Sequence, residues 1–204
     1  YDAIILWQID YLASFFLERG LPTIVFPMYD ASFSLDDLHW KAMRGAFIIC
    51  FSLELHRIAS QAGCNSIFIK YFPPASTTIQ KGIGLSEKFQ RKPDAPIRVF
   101  FWERLPLERV NFRRVSSLVS RLDIGDFHLH RAPDCSHEID LDSDFINSLS
   151  YPVSVTSWFD TKQDYLAALS NADLFIAPRF CEGIGLSFLE AMANGCCVIA
   201  NDQS

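Results

Sequence analysis

The chain has 204 residues, half of them of hydrophobic type, which is ample for a packed core in one large domain or two small ones. A net charge of −6 argues against general nucleic-acid binding, because phosphate contacts need a basic surface. The longest apolar runs, such as Ala46 to Phe51, fall far short of the roughly 20 residues that a membrane-spanning helix needs.

In chain order, short β-rich runs alternate with stretches of helical period, the pattern of parallel sheets flanked by helices, so the fold class is α/β. Ala3 to Trp7, Thr23 to Phe26, Ala46 to Phe51 and Ser66 to Ile69 read as buried strands. Between them, Leu12, Phe15 and Phe16 share one helical face, as do Leu35, Leu38 and Ala42, and Leu55, Ile58, Ala59 and Ala62. Ser34 is a plausible N-cap, with Asp36 and Asp37 in the first turn. From Tyr71 to Pro96 the Pro-Pro, Ser-Thr-Thr and Lys-Pro-Asp-Ala-Pro runs sustain neither helix nor central strand and read as a connection between domains.

The alternation restarts with a strand at Ile97 to Phe101 and a helix faced by Phe112, Val115, Val119 and Leu122. Strands at Phe127 to His130 and Val153 to Thr156 follow, then a helix with Leu166 and Leu169, and a strand at Leu174 to Ala177. A helix from about Gly185 to Asn194, with Gly195 at its end, leads to a last strand at Cys196 to Ala200. The division expected is 1–75 for the C-terminal part of a first α/β domain, 76–95 for the connection and 96–204 for the N-terminal part of a second, both domains being incomplete. Tyr1 is no initiator, no signal-peptide order follows it, and Ser204 stops just after an apolar run, so both ends read as cut.

Charge and cysteine usage add two expectations. Nine of the 18 Lys and Arg lie between Lys88 and Arg121, while Asp123 to Asp144 holds seven acids and one Arg. Such blocks are solvated faces or sites for an anionic ligand or lipid headgroup. The six cysteines, 50, 64, 135, 181, 196 and 197, sit mostly among apolar neighbours without Cys-x-x-Cys spacing, which reads as reduced, buried thiols in a cytoplasmic chain.

The most informative stretch runs from Ala172 to Ala200 as strand, glycine-bearing loop, helix and strand. Gly183 and Gly185 let backbone approach a ligand, and the helix that follows directs unpaired N–H groups and partial positive charge at a phosphate. Glu182 in the loop and Glu190 in the helix can each accept hydrogen bonds from a diol, although Glu190 reads equally as an exposed helix residue.

This stretch resembles the Glu-x7-Glu donor motif of family-4-type retaining glycosyltransferases (glycosyl transferases group 1, GT-B fold), without a gap from Ala172 to Ala200. The resemblance implies sugar transfer from a nucleotide-diphosphate sugar, such as a UDP- or GDP-sugar, to an acceptor hydroxyl in the cleft between two Rossmann-like domains. It implies Glu182 at the donor sugar, Glu190 at the ribose, and backbone of Gly183, Ile184, Gly185 and Leu186 at the sugar or diphosphate. The family's Gly-Arg-x4-Lys diphosphate clamp is similar to Arg104 and Arg109, with Glu103 in place of the Gly and Arg109 in place of the Lys. Asp30, after the strand ending at Phe26, occupies the family's His-Asp position with Tyr29 for the His. Ser52 resembles a late Ser of the first domain and reads as a helix cap.

No cofactor or metal is expected beyond the nucleotide sugar. Asp140 and Asp142 form the Asp-x-Asp of a different glycosyltransferase fold but read as a cap before a helix, and His128 and His130, with Cys135 and His137 nearby, lack zinc-ligand spacing. The resemblance implies a saccharide or lipid-linked acceptor in polysaccharide or glycoconjugate synthesis, and the basic block permits contact with the inner face of a membrane. A non-catalytic nucleotide-sugar- or partner-binding subunit and a GT-B epimerase remain open alternatives.

Overall fold

The computed structural model describes residues 2–74, 88, 90–104, 110–131, 141–177 and 182–200. They form two compact units, one of residues 2–72 with 182–185, the other spanning 73–177 with 186–200.

The first unit is a four-stranded parallel sheet in the order β1-β2-β3-β4, made of β1 (Ile4–Trp7), β2 (Thr23–Phe26), β3 (Phe47–Cys50) and β4 (Asn65–Phe68). Side chains alternate across a strand, so Leu6, Val25, Ile48 and Cys50 share the face that packs against helices. Those helices are α1 (Ala13–Leu17), α2 (Tyr29–Ser32), α3 (Asp37–Ala42) and α4 (Leu53–Gln61). The face of α4 is the expected one, with Leu55 and Ala59 buried and Ile58 and Ala62 packed beside them. Two other faces differ from expectation. In α1, Ala13 is buried while Leu12 and Phe15 stand out, and in α3 the buried residue is Trp40, followed by Met43, whereas Leu38 is 72% exposed. The cap of α3 is Asp36, whose carboxylate accepts from His39 N at 3.0 Å, two residues beyond Ser34. An ionised acceptor at the helix start also meets the positive end of its dipole, which favours Asp there.

The second unit is a five-stranded parallel sheet in the order β7-β6-β5-β8-β9. Its strands are β5 (Ile97–Glu103), β6 (Ile124–Arg131), β7 (Val153–Thr156), β8 (Leu174–Ile176) and β9 (Cys197–Ile199). Its helices are α5 (Phe112–Val119), α6 (Ser143–Asn147), α7 (Lys162–Asn171) and α8 (Leu186–Ala193). Both faces of the sheet are covered. Val99 and Phe101 of β5 meet Phe112, Val115 and Val119 of α5 on one side. Phe100 meets Tyr165, Leu166 and Leu169 of α7 and Ala191 of α8 on the other. Burying an aromatic side chain such as Phe100 or Phe175 contributes roughly 1.5–3 kcal/mol, and four aromatic pairs around Phe100 at 4.9–6.2 Å fill that layer. Leu122, expected on the buried face, is 43% exposed beyond the end of α5.

Strand order reverses at β5, with β6 and β7 on one side and β8 and β9 on the other. Ligands of open α/β sheets bind beyond the carboxyl ends of the strands at such a switch. Arg104 follows β5, and the loop containing Glu182 follows β8, its hydrogen-bonded neighbour.

Candidate functional site

The loop and helix after β8 have the geometry that a close backbone approach requires. Gly185 has φ +71°, a conformation L side chains rarely adopt, and α8 starts at the next residue. The first amides of an α-helix lack intrahelical acceptors, and a helix start of this kind suits an anion. Leu186 itself is exposed, whereas Ser187, Glu190 and Ala191 turn inward.

Glu190 is 5% exposed, which settles against an ordinary surface residue. Its carboxylate accepts from Lys162 Nζ, at the first residue of α7. Thr161 Oγ1 caps that helix, accepting from Asp164 N at 3.2 Å, and so fixes the turn from which Lys162 reaches. A buried carboxylate without a cation would cost several kcal/mol, and one ammonium leaves other lone pairs for hydroxyl donors. No sequence pattern points to Lys162; only the fold brings the start of α7 to the helix after β8.

Arg104 is half-buried directly after β5. Glu103, where the resembling family has a glycine, is buried at the strand's end; it accepts from Phe112 N at 2.7 Å and from Arg131 Nε at 2.8 Å. It thereby ties the start of α5 to β6 and neutralises Arg131. Arg109 lies outside the described residues.

Asp30 lies on α2, and in the first unit it comes against the glycine loop. A Cβ at Gly183 would stand 3.2 Å from Asp30 Oδ1 and 3.4 Å from Met28 Sδ, so glycine is what allows this approach. Glu182 and Ile184 flank it, both half-buried. The described structure thus brings Asp30 together with the Glu182–Gly185 loop, and separately Glu190 with Lys162.

Residues 110–204 match the family model of glycosyl transferases group 1. No curated protein sequence matches the chain. Among solved structures, the chain is similar to a UDP-forming α,α-trehalose-phosphate synthase from Burkholderia vietnamiensis, with TM-score 0.65 and 12% identity over 98% of this chain and 58% of that one. It is similar to Anabaena Alr3699/HepE, a complex with UDP and glucose, with TM-score 0.62 and 14% identity over 98% and 59% of the two chains. The pneumococcal O-GlcNAc transferase GtfA, in complex with UDP and GlcNAc, gives TM-score 0.60 and 12% identity over 91% and 38%. The fold is GT-B. The chain spans 58–59% of the length of the first two of these structures.

Within this GT-B chain the described residues of the other polar motifs have structural partners. Asp142 caps α6, accepting from Phe145 N at 2.9 Å, and pairs with Arg113; Asp140 lies outside the described residues. Ser52 caps α4 as expected, accepting from Leu55 N at 3.3 Å. His128 bonds Ser154 Oγ and Thr156 Oγ1, each at 2.9 Å, and His130 bonds Thr156 Oγ1 at 2.8 Å. Burial, then the neighbouring His128, pushes His130 down to about 4, and burial lowers His128 as well. Cys135 and His137 lie outside the described residues, among which no three His, Cys, Asp or Glu side chains form a metal-binding group.

Much of the basic block is engaged within the second unit. Lys88 Nζ donates to Asn194 O at 2.6 Å, and Arg91 and Arg98 both pair with Asp173. Burial favours a neutral Asp173, but the hydrogen bonds and charges of Arg98 and Arg91 outweigh it and hold the carboxyl at about 2. Among the described residues, no helix is long and apolar enough to cross a membrane.

Proposed function

We propose that this chain is part of a glycosyltransferase that moves a sugar from a nucleotide-diphosphate sugar to an acceptor hydroxyl. The observation that carries the reading is the strand, glycine loop and helix of 174–193, with Gly185 in the left-handed region and Glu190 buried behind the first turn of α8. In this reading Glu190, paired with Lys162, accepts from the ribose hydroxyls, and Glu182 accepts from the donor sugar. Backbone of Gly183, Ile184, Gly185 and Leu186 lies along sugar and diphosphate. Bond cleavage leaves negative charge on the departing diphosphate, and Arg104, Arg109 and the N-terminus of α8 stabilise it. Asp30 acts at the donor sugar beside the loop. UDP in two of the similar structures supports a nucleotide donor, with a UDP- or GDP-sugar as the class.

The finer features rest on the resemblance of the Glu182-to-Glu190 motif: retention at the anomeric carbon, a reaction that needs no metal, a hexosyl donor, and a saccharide or lipid-linked acceptor in polysaccharide or glycoconjugate synthesis. A cytoplasmic setting, at the inner face of a membrane where the acceptor is lipid-linked, is supported by the buried free thiols of Cys50, Cys64 and Cys196, whereas Cys197 departs from the expected burial and is exposed.

Calorimetry of the full-length protein with UDP, GDP and their sugars tests the donor assignment. Removing a hydrogen-bonding partner of a charged group costs about 1.5–3 kcal/mol, so Glu190→Ala and Arg104→Ala should each weaken binding roughly tenfold to a hundredfold. Unchanged affinity in both would remove these residues from the site. One observation favours a second reading: Glu103 places a buried carboxylate beside Arg104 where the resembling family has a glycine. Donor binding without transfer or hydrolysis would assign the chain to a nucleotide-sugar-binding subunit instead.

A further inference from the structure

The buried carboxylate of Asp10 is the hub of a polar cluster that the donor site does not use. Asp10 is 5% exposed; its Oδ2 accepts from Ser32 Oγ at 2.9 Å and lies 2.9 Å from His39 Nε2. Ser32 is fully buried. Ser, His and Asp here do not form a hydrolytic relay, because the serine hydroxyl bonds the carboxylate rather than the imidazole and faces no solvent. The cluster is a tether among three segments: the turn after β1, the helix α2 and the helix α3.

That tether bears on Asp30. Helix α2 has four residues, far too few to hold itself in water, and its N-cap, Met28, supplies no side-chain bond. Its position is set by what its side chains reach beyond the helix, namely Tyr29 packed against the core of the first unit and Ser32 on Asp10. Asp30 and Ser32 are two residues apart and project from nearly opposite sides of the helix. Anchoring Ser32 on the inner side therefore sets where Asp30 stands on the outer side, against Gly183. The chain accepts local strain to build this arrangement. Gln8 sits at φ 62° between β1 and Asp10, the single non-glycine residue with positive φ among those described, and such a conformation costs on the order of 1 kcal/mol or more.

We propose that Asp10, through Ser32, is the positioning residue for Asp30, with His39 holding the Asp10 carboxylate in place. The proposal rests on the reading of Asp30 given above. In the full-length protein, amide exchange at Ala31 to Phe33 and release of UDP from UDP-glucose, or of GDP from GDP-glucose, are measured for wild type, Ser32→Ala, Asp10→Ala, His39→Gln and Asp30→Asn. Loss of the hydrogen bond between Ser32 and the buried carboxylate should speed exchange and lower kcat by about tenfold in Ser32→Ala and Asp10→Ala, with donor Kd held within about twofold. His39→Gln, whose amide still donates to Asp10, should stay near wild type. Unchanged exchange in both tether variants overturns the proposal. Faster exchange with undiminished kcat, where Asp30→Asn is inactive, also overturns it and leaves the donor site standing. Full turnover in Asp30→Asn overturns the reading of Asp30, and the positioning role with it.

Discussion

At the scale of single residues, the polar groups that matter are those whose burial would be unaffordable without a partner. Glu103, Glu190 and Asp10 are all within 5% of full burial, and each has a cation, histidine or backbone donor against it. His130 is the converse case, a buried base kept neutral by its surroundings, and it makes a prediction about pH. Its folded value of about 4 lies below the ordinary 6.5, so between those values the unfolded chain binds a proton that the folded chain does not. Its contribution to stability is complete above pH 6.5 and is lost as the pH falls toward 4, by roughly 3 kcal/mol in all. Urea unfolding followed across this window should show that slope, and His130→Gln, which keeps a donor for Thr156, should flatten it. An equal slope in the variant would assign the acid sensitivity elsewhere.

At the scale of elements, the sequence was legible where hydrophobic period and length agreed, as in β2 and β7, whose bounds Thr23–Phe26 and Val153–Thr156 match expectation. It was misleading where an exposed apolar residue mimicked a buried face: Leu38 keeps helical spacing with Leu35, yet the core takes Trp40, because volume rather than spacing decided what filled the space. Helix α2 was invisible because nothing in Tyr29 to Ser32 is periodic; the packing of Tyr29 on the core and the bond from Ser32 to Asp10 hold it. The Glu182-to-Glu190 motif was readable as a ligand loop, but Lys162 was not, since pairing across 28 residues is set by the sheet. That pairing gives the cap of α7 a consequence beyond its own helix. Thr161→Ala removes the acceptor of Asp164 N, which should cost about 1 kcal/mol of stability and fray the turn carrying Lys162. Thermal unfolding should report the first effect, and a few-fold weaker nucleotide affinity the second. Intact affinity in the variant would mean that Lys162 does not support Glu190 in ligand binding.

At the scale of the whole molecule, each of the two units has its own core, and the nucleotide site proposed above draws on parts that unfolding would scatter: the first turn of α8, Glu190 and the residue after β5. A ligand that binds the folded form alone adds RT ln(1 + [L]/Kd) to its stability, about 2.7 kcal/mol at a hundredfold excess over Kd. For a chain of this length that corresponds to a rise in unfolding temperature of about 5–10 °C. UDP or GDP at millimolar concentration should raise the midpoint by that amount, and free uridine or guanosine by much less, because the diphosphate is what the helix N-terminus and Arg104 attract. Glu190→Ala should reduce the shift through the ribose, and Arg104→Ala through the phosphates, so 2′-deoxynucleotides discriminate the two: they should lose stabilisation in wild type but little further in Glu190→Ala. Equal stabilisation by nucleoside and nucleotide would place the recognised charge outside the loop after β8 and the end of β5.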